Sequence, residues 1–435
     1  MTDFESQDLS PANRESIYRR NFALFLTDGV LFTVAMGVLG TTTVIPDFIR
    51  HLTDSKVLIG LAGSLFDICW TLPQLFIARY IVRYARKKWW FAGPNIPVRF
   101  VILIFAGLVV LLGKGRPGAI LVAFLICYGI AAFGDGIVGV PWADLTGTSL
   151  DERWRARMFG LMIVIGGGIM LLISPIIGVI LGDTGPDFPN NYALLFAFAG
   201  VLFALSIIPT LLIHELPGGK RVEKVPSFAE FVPQLGHILR TDGAFRAILI
   251  ARLLTSLLAM AGPFYIGYAT GPLGLSNTVA VPILLAMQTV GVMSGSFLYI
   301  WLGARNNLLY IRLALACAAC LPICALLAGI IGPGLLYLGF LLSGLALGNL
   351  MIAYQNWVVT HAHPDQRPVY AGLFNTITSL VAIAAPIIGG TIAQEIGYGP
   401  LFIVSLLLAL CALFVTLRFV QNPQGVKAPL PILAD

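Results

Sequence analysis

The sequence predicts an all-α integral membrane protein in which twelve transmembrane helices form two pseudo-symmetric six-helix bundles. The first observation is the composition: of 435 residues, 58% are hydrophobic and 11% are charged, whereas soluble domains carry about 25% charged residues. The second is that the apolar residues come in runs of about 20, long enough to cross a bilayer as helices. The third is an internal repeat that relates the two halves of the chain.

The apolar runs define the spans and the domain boundaries. We call them spans 1 to 12, and they cover residues 22–47, 57–81, 90–112, 118–142, 158–182, 191–213, 245–270, 280–302, 307–331, 334–358, 370–392 and 399–420. Strands of a membrane barrel would alternate apolar and polar residues, and these runs do not. The longest polar connection follows span 6. The predicted parts are a cytoplasmic N-terminal segment, an N-terminal bundle, a cytoplasmic linker, a C-terminal bundle and a cytoplasmic tail, at residues 1–21, 22–213, 214–244, 245–420 and 421–435.

The distribution of positive charge predicts the topology. Of the 27 Lys and Arg residues, 20 lie in the terminal segments and the even-numbered connections or within three residues of them, and 4 lie in the odd-numbered connections. By the positive-inside rule both termini are cytoplasmic, and we expect a multi-pass protein of the plasma membrane. The net charge of +6 follows from this topology and needs no nucleic-acid partner. No spacing indicates a metal or a cofactor, and we expect a monomer in the lipid bilayer.

Matched residues in the two halves indicate a duplicated six-helix unit. The separations between partners drift only from 211 to 215 residues along matching topology. The pairs are Arg99 with Arg312, Trp142 with Trp357, Arg153 with Arg367, Gly160 with Gly372 and Pro175 with Pro386. Parallel six-helix repeats place a binding site near the membrane midplane between the halves.

The chain resembles the major facilitator superfamily over essentially its whole length, without features that assign a subfamily. After span 2 the family motif is Gly, three residues, Asp-Arg, one residue, Gly-Arg-Lys. The chain reads "ARYIVRYARKK", which retains Arg83, Arg86 and Lys87 but has Val82 in place of the acid. In the family this acid links the two halves in the outward-open state. The resemblance therefore implies gating or structural roles for these basic residues, and we extend them to Arg153 and Arg367.

Spans 5 and 11 share the letters "PIIG". The helix 5 signature associated with antiporters in this family is matched by a proline and a glycine, with a serine where the pattern has glycine. The residues assigned to this feature are Ser174, Pro175, Gly178, Pro386, Gly389 and Gly390. Proline removes a backbone donor and bends a helix, and glycine permits close helix approach. The motif thus predicts bent, tightly packed helices, with an exporter-specific meaning as the alternative.

Ionisable residues within membrane spans are costly when they face lipid and are therefore functional candidates. In span 2, Asp67, Trp70 and Gln74 lie on one helical face. A carboxylate, an indole and an amide on one face could bind a cationic or polar organic substrate, or a proton. The alternative is a buried aspartate that is hydrogen-bonded to a neighbouring helix.

Four further residues in the spans are either charged or occupy the repeat position of a charged residue. Asp28 in span 1 and Arg252 in span 7 occupy matching places in the repeat, so they could face each other across the two halves. Protonation of Asp28 would weaken such a pair and let the halves part, although a static ion pair is an equal alternative. Asp135 in span 4, whose repeat counterpart is close to Asn349, is expected either to line the cavity or to serve packing alone.

Other polar residues receive smaller roles. Those that could reach the cavity are Gln288, Tyr354, Gln355 and Asn375. Arg99 and Arg312 are expected to be structural, either capping loops or extending to the cytoplasmic interface. His361, which we place in a loop, is expected to be solvated.

No nucleotide-binding, nucleophile-elbow or zinc spacing occurs in the sequence, so neither catalysis nor ATP-driven transport is predicted. The resemblance implies secondary active transport of a small organic solute by alternating access. We expect coupling to protons through an aspartate within a span, and the span 5 signature favours export. The alternatives are proton-coupled uptake of a polar metabolite, or a membrane assembly factor or sensor that has the same fold but does not transport.

Overall fold

The computed structural model describes residues 11–81, 84, 86–150, 152–215, 236–303, 305–362 and 367–423. Within these ranges the regular structure is entirely helical, and twelve helical segments are long and apolar enough to cross a membrane, which confirms the predicted fold class. The α-helices are Pro11–Leu39, Val44–Arg50, Lys56–Ile81, Lys88–Leu112, Pro117–Ser149, Glu152–Leu181, Asn190–Leu212, Gly243–Leu257, Phe264–Thr270, Asn277–Leu298, Asn307–Ile331, Gly334–His361, Arg367–Glu395 and Tyr398–Arg418.

Two compact units divide the chain. The first unit contains the described residues of Met1–Gly40 and Leu65–Val225, and the second unit those of Thr41–Ser64 and Pro226–Asp435. The end of span 1 and the first part of span 2 therefore belong to the second unit, although by sequence they precede the linker. We call residues 41–64 the 41–64 segment. The bundle boundaries that the sequence predicts stay a prediction.

Aromatic packing joins spans 3, 4 and 6 in the first unit. The buried rings of Phe105, Phe124 and Phe196 meet with centroids 5.1 to 6.4 Å apart. Span 6 also approaches span 3 closely, because a Cβ atom at Gly200 would lie 2.7 Å from the Leu103 amide nitrogen. Helices in a bilayer associate through such close packing, because lipid offers no hydrophobic contrast. These contacts fix spans 3, 4 and 6 as a rigid support for the polar groups described below.

In span 5, Ser174 is buried within helix Glu152–Leu181, which continues through Pro175. The Ser174 hydroxyl donates to the Met170 carbonyl oxygen at 2.8 Å. The Met170 side chain in turn packs on span 1, where a Cβ atom at Gly37 would lie 2.7 Å from its sulfur. This part of span 5 is therefore a packing surface for span 1, and Gly178 is buried in the same helix.

Span 7 is interrupted in the second unit. Helix Gly243–Leu257 passes into a 3₁₀ turn at Leu258–Met260, and the chain becomes α-helical again at Phe264–Thr270. The residues between are "AGP", and the proline nitrogen cannot donate the hydrogen bond that would continue the helix. The sequence predicted one apolar run here and did not anticipate the interruption.

The glycines of span 11 pack against this interruption and against the 41–64 segment. A Cβ atom at Gly389 would lie 2.1 Å from the Met260 carbonyl oxygen, and one at Gly390 would lie 2.6 Å from the Val57 Cα atom. A Cβ atom at Gly60 would likewise lie 2.7 Å from the carbonyl oxygen of Pro386. Only glycine allows these backbones to approach so closely.

Basic residues of the 41–64 segment add polar contacts within the second unit. Arg50 forms an ion pair with Asp47 at 3.0 Å and a hydrogen bond with the Thr270 hydroxyl. Lys56 donates to the Ala393 carbonyl oxygen at 2.6 Å. Close glycine packing and these bonds together hold the segment to spans 7 and 11.

A hydrogen-bonded cluster centred on Asp242 lies at the start of helix Gly243–Leu257 in the second unit. Asp242 caps helix Gly243–Leu257 by accepting from the Phe245 amide at 2.8 Å, and it also accepts from Tyr370 at 3.0 Å. His361 lies 2.9 Å from the same carboxylate and stacks on Trp357 with centroids 4.8 Å apart. His361 is 8% exposed, so the expectation of a solvated histidine was wrong.

We predict that Asp242→Ala destabilises the protein by about 1–3 kcal/mol at neutral pH, because it removes a helix cap and leaves buried donors unpaired. Burial raises the pKa of Asp242, but hydrogen bonds from His361, the Phe245 amide and Tyr370 together lower it below its ordinary value of 3.8. The stabilisation is therefore complete above the ordinary pKa and is lost as the pH falls through the lowered pKa.

Thermal unfolding of the detergent-solubilised protein from neutral to acidic pH measures this effect. Asp242→Asn is the matched control, because asparagine caps helices well but carries no charge, and it should fall between wild type and Asp242→Ala. Equal stability of all three proteins at neutral pH would contradict the prediction.

Candidate functional site

Three ionisable side chains are buried together in the first unit. Asp28 of span 1 is 3% exposed, Arg99 of span 3 is 5% exposed and Asp135 of span 4 is 7% exposed. Arg99 Nη1 lies 3.0 Å from Asp135 Oδ1. We call these three residues the buried charge cluster, and burial on this scale is rare for charged groups unless they are paired.

The glycines on either side of Asp135 explain how its carboxylate reaches Arg99. A Cβ atom at Gly134 would lie 2.1 Å from the Val98 side chain, and one at Gly136 would lie 2.2 Å from the Trp70 carbonyl oxygen. Span 4 therefore packs tightly against the Val98 side chain of span 3 on one side and against the backbone of span 2 on the other. This close approach brings Asp135 to the level of Arg99, which follows Val98 in the chain.

Arg99 is held by aromatic rings as well as by the ion pair. Its guanidinium lies 4.9 Å from the ring centroid of Phe32 and 5.3 Å from that of Phe203. A cation on aromatic faces in a desolvated site is stabilised by the ring quadrupoles. The expectation that Arg99 caps a loop or extends to the interface was wrong, because its head group ends in the buried charge cluster.

The repeat counterparts in the second unit are arranged differently. Arg312 donates to the carbonyl oxygens of Thr416 and Val420 at 2.9 to 3.2 Å, which is the capping role expected of it. Asn349, the counterpart of Asp135, donates to the Ser296 hydroxyl at 2.8 Å. A neutral amide in span 10 needs no cation, so Arg312 is available to bond the end of span 12.

Asp28 shares the electrostatic environment of the ion pair. It is attracted by Arg99 and repelled by Asp135, and the Ser206 and Thr210 hydroxyls of span 6 lie within hydrogen-bonding reach. With both carboxylates ionised, the cluster holds two negative charges and one positive charge. An uncompensated charge inside a membrane span costs several kcal/mol, and a single bound proton removes it.

A small cavity adjoins the ion pair. It is lined by Arg99, Asp135 and Tyr128 together with apolar side chains from spans 1, 2, 3, 4 and 6, and it has room for about one water molecule. Tyr128 is 2% exposed. Among the residues described, neither the Tyr128 hydroxyl nor Arg99 Nε has a hydrogen-bond partner.

The predicted face of span 2 is largely accessible. Asp67 is exposed, and Trp70 and Gln74 are half-buried. The Gln74 amide donates to the Trp70 carbonyl oxygen at 3.1 Å. The burial that the alternative interpretation assumed for Asp67 is therefore not observed. A carboxylate exposed at this depth indicates that this face meets water or a polar ligand, because lipid would be unfavourable.

The second unit holds the remaining predicted polar residues in pairs. The Arg252 guanidinium lies 5.6 Å from the Tyr354 ring centroid, and the Tyr354 hydroxyl lies 3.0 Å from that of Thr255. Gln355 donates to Asn375 at 2.8 Å, and Gln288 accepts from Thr42 at 3.2 Å. The pairing of Asp28 with Arg252 that the sequence suggested stays a prediction.

The basic residues after span 2 are partly described. Arg83 lies outside the described residues, and Arg86 is exposed. Lys87 forms an ion pair with Asp144 at the end of span 4, and its amide donates to the Glu215 carboxylate at 2.5 Å. Both contacts lie within the first unit. Arg153 and Arg367 lie in the first turns of their helices, and their gating role stays a prediction.

No group of three or more potential metal-ligating side chains occurs in the part of the chain that the structure describes. The six cysteines are all free. The buried charge cluster consists of two carboxylates and one arginine that is paired with Asp135, a set that suits proton binding better than cation binding.

We predict that Gly136→Ala destabilises the first unit by about 1–3 kcal/mol, because the new methyl group would press on the Trp70 carbonyl and separate spans 2 and 4. Gly139→Ala is the matched control. Its Cβ atom would lie 3.6 Å from the Trp70 indole nitrogen, an ordinary contact. Apparent melting temperatures in detergent measure both effects, and equal shifts for the two variants would contradict the packing described here.

Comparison with known proteins agrees with this architecture. The family profile described as Major Facilitator Superfamily matches residues 27–386 and 323–432. The MFS-type transporter grgE of a Penicillium species is 31% identical over 91 residues, which make up 20% of this chain and 15% of that protein's length. The match therefore spans only a small part of this curated relative.

Solved structures match over nearly the whole chain. A D-xylose-proton symporter is 13% identical with a TM-score of 0.70, covering 94% of this chain and 100% of the symporter. The human organic anion transporter TETRAN is 17% identical with a TM-score of 0.60, covering 92% of this chain and 99% of the transporter. At these identities the likeness concerns the fold.

Proposed function

The chain belongs to the Major Facilitator Superfamily, and from this premise we propose that it is a proton-coupled secondary transporter of a small organic solute. Membership in this family and the transporters of the same fold support solute transport across a membrane, and proteins of this family are generally carriers that lack enzymatic activity. The identity of the solute, the coupling ion and the direction of transport belong to the proposal.

The buried charge cluster is the observation that carries proton coupling. Asp28 and Asp135 share one guanidinium, so the cluster is charge-balanced only when it holds one proton. The two carboxylates interact, and the proton therefore belongs to the pair and not to either residue alone. Loss of the proton leaves one negative charge at a site that is more than nine-tenths buried. That cost drives either reprotonation or a movement that admits water.

Substrate contacts are proposed on the accessible polar faces of each unit. In the first unit these are Asp67, Trp70 and Gln74, which offer a carboxylate, an indole and an amide. In the second unit, the half-buried Arg252 offers a cation, which is held beside the buried ring of Tyr354. Such sets suit an organic solute with both apolar and polar parts, for which a few polar groups fix the orientation.

We assign the 41–64 segment to gating at the end that the charge distribution predicts to be non-cytoplasmic. By sequence the segment belongs to the first repeat, but it packs on spans 7 and 11 in the second unit. Alternating access requires each end of the transporter to open in turn. The Lys56 and Arg50 contacts must then break when this end opens, and the glycine contacts must separate with them.

Transport in proteoliposomes tests the proposal. A thermal-shift screen of small organic solutes first supplies ligands, and each is then assayed for accumulation driven by a pH gradient and for counterflow. We predict that Asp28→Asn and Asp135→Asn abolish accumulation against a gradient but retain counterflow, because neither variant cluster needs a proton for charge balance. Asp183→Asn, an exposed aspartate outside the cluster, should behave as wild type.

The direction of the effective pH gradient in vesicles of known orientation separates export by antiport from uptake by symport. We favour export, in line with the span 5 signature. Gradient-driven accumulation that survives in both Asp28→Asn and Asp135→Asn would refute the proton site. Absence of flux for every solute that stabilises the protein would favour an assembly factor or sensor.

A further inference from the structure

Tyr128 lines the cavity beside the buried charge cluster, together with Arg99 and Asp135. Its ring packs against Phe66, the neighbour of Asp67, with centroids 6.0 Å apart, and it stacks on Phe124 at 5.0 Å. The charges of Asp67 and Asp135 both act on its hydroxyl. The ring is thus held in place by its aromatic neighbours.

The buried charge cluster needs a route to water. Its three members are at least 93% buried, so the proton that balances them cannot arrive directly from solvent. Asp67 in the same unit is exposed. The cavity beside the ion pair, which Phe66 next to Asp67 also lines, carries two buried groups without partners among the described residues, the Tyr128 hydroxyl and Arg99 Nε. A site with room for one water and with polar groups on its wall is suited to an ordered water.

We propose that Tyr128 and one water molecule in this cavity relay the proton between Asp67 and the buried charge cluster. This inference rests on the proton coupling proposed above and assigns its path. In the transfer step Asp67 comes within hydrogen-bonding distance of the Tyr128 hydroxyl, which has no partner among the described residues. Asp67 gives its proton to the Tyr128 oxygen while the Tyr128 O–H bond breaks toward the water, and the water passes one of its protons to Asp135. Every O–H bond that breaks is matched by one that forms. The hydroxyl and the water are regenerated, and one proton has moved from Asp67 to the cluster.

The relay is surrounded by charged and titratable groups from four spans. Asp67 lies on span 2, Arg99 on span 3, Asp135 on span 4 and Asp28 on span 1. The span 6 side chain in the cavity wall is the apolar Phe203. Arg99 Nε orients the water by donating to it, which leaves both water protons available for transfer.

Infrared spectroscopy after a pH jump tests the relay without a substrate. The C=O stretch of a protonated carboxyl group, which carboxylates lack, reports the proton on the cluster, and its loss in Asp28→Asn and Asp135→Asn identifies the band. We expect Tyr128→Phe to slow the rise and decay of this band by about tenfold or more, since it removes one transfer group. The end points of the titration should not change, because the ring and its packing remain.

Tyr310→Phe is the matched control, because Tyr310 is fully buried in the second unit and its hydroxyl also has no partner among the described residues. It should leave the rate as in wild type. Ala131→Val, which fills the cavity wall, should slow the exchange with Tyr128 intact. Equal rates in wild type and Tyr128→Phe would overturn the relay and leave the proton site standing. A band that persists in both aspartate variants would overturn the proton site itself.

Discussion

The ion pair between Arg99 and Asp135 is the interaction on which the interior of the first unit depends. Neither charge could remain in a membrane span without the other, because an unpaired buried charge costs several kcal/mol. The pair also sets packing requirements, since Gly134 and Gly136 must stay small for the carboxylate to reach the guanidinium at 3.0 Å. Once Arg99 is neutralised by Asp135, Asp28 is left without a full counter-charge, and proton binding follows from that deficit.

The two units use related sequences for different purposes. In the first unit the matching positions hold an ion pair, whereas in the second Asn349 bonds a hydroxyl and Arg312 bonds the end of span 12. A change between aspartate and asparagine at one position is enough to decide whether the arginine is needed in the interior. The second unit contributes instead an interrupted span 7 and the glycine contacts of span 11. Both are suited to a moving part.

The apolar runs and the distribution of positive charge made most of the fold predictable. The length of the runs and the positions of Lys and Arg follow directly from bilayer physics. The site was less predictable. Arg99 was given the same role as Arg312, either capping loops or extending to the cytoplasmic interface, since sequence shows the repeat but not the rotation of each helix. The glycines that flank Asp135 are compatible with a close helix approach, but they do not identify the partner of Asp135. The Gly262-Pro263 pair indicates an interruption of span 7, but the run is apolar throughout and was therefore read as one continuous helix. The Asp242 and His361 contact joins residues 119 positions apart, and no local pattern reports it.

A double-mutant cycle on Arg99 and Asp135 tests the central claim most directly. The free energy of unfolding is measured for wild type, Arg99→Gln, Asp135→Asn and the double variant at one pH in the same detergent. If the pair holds the cluster together, Arg99→Gln alone is the most damaging change, and adding Asp135→Asn restores part of the loss, giving an interaction free energy of about 1–3 kcal/mol. Effects that add within about 0.5 kcal/mol would contradict the claim, because they would show that the two charges do not depend on each other.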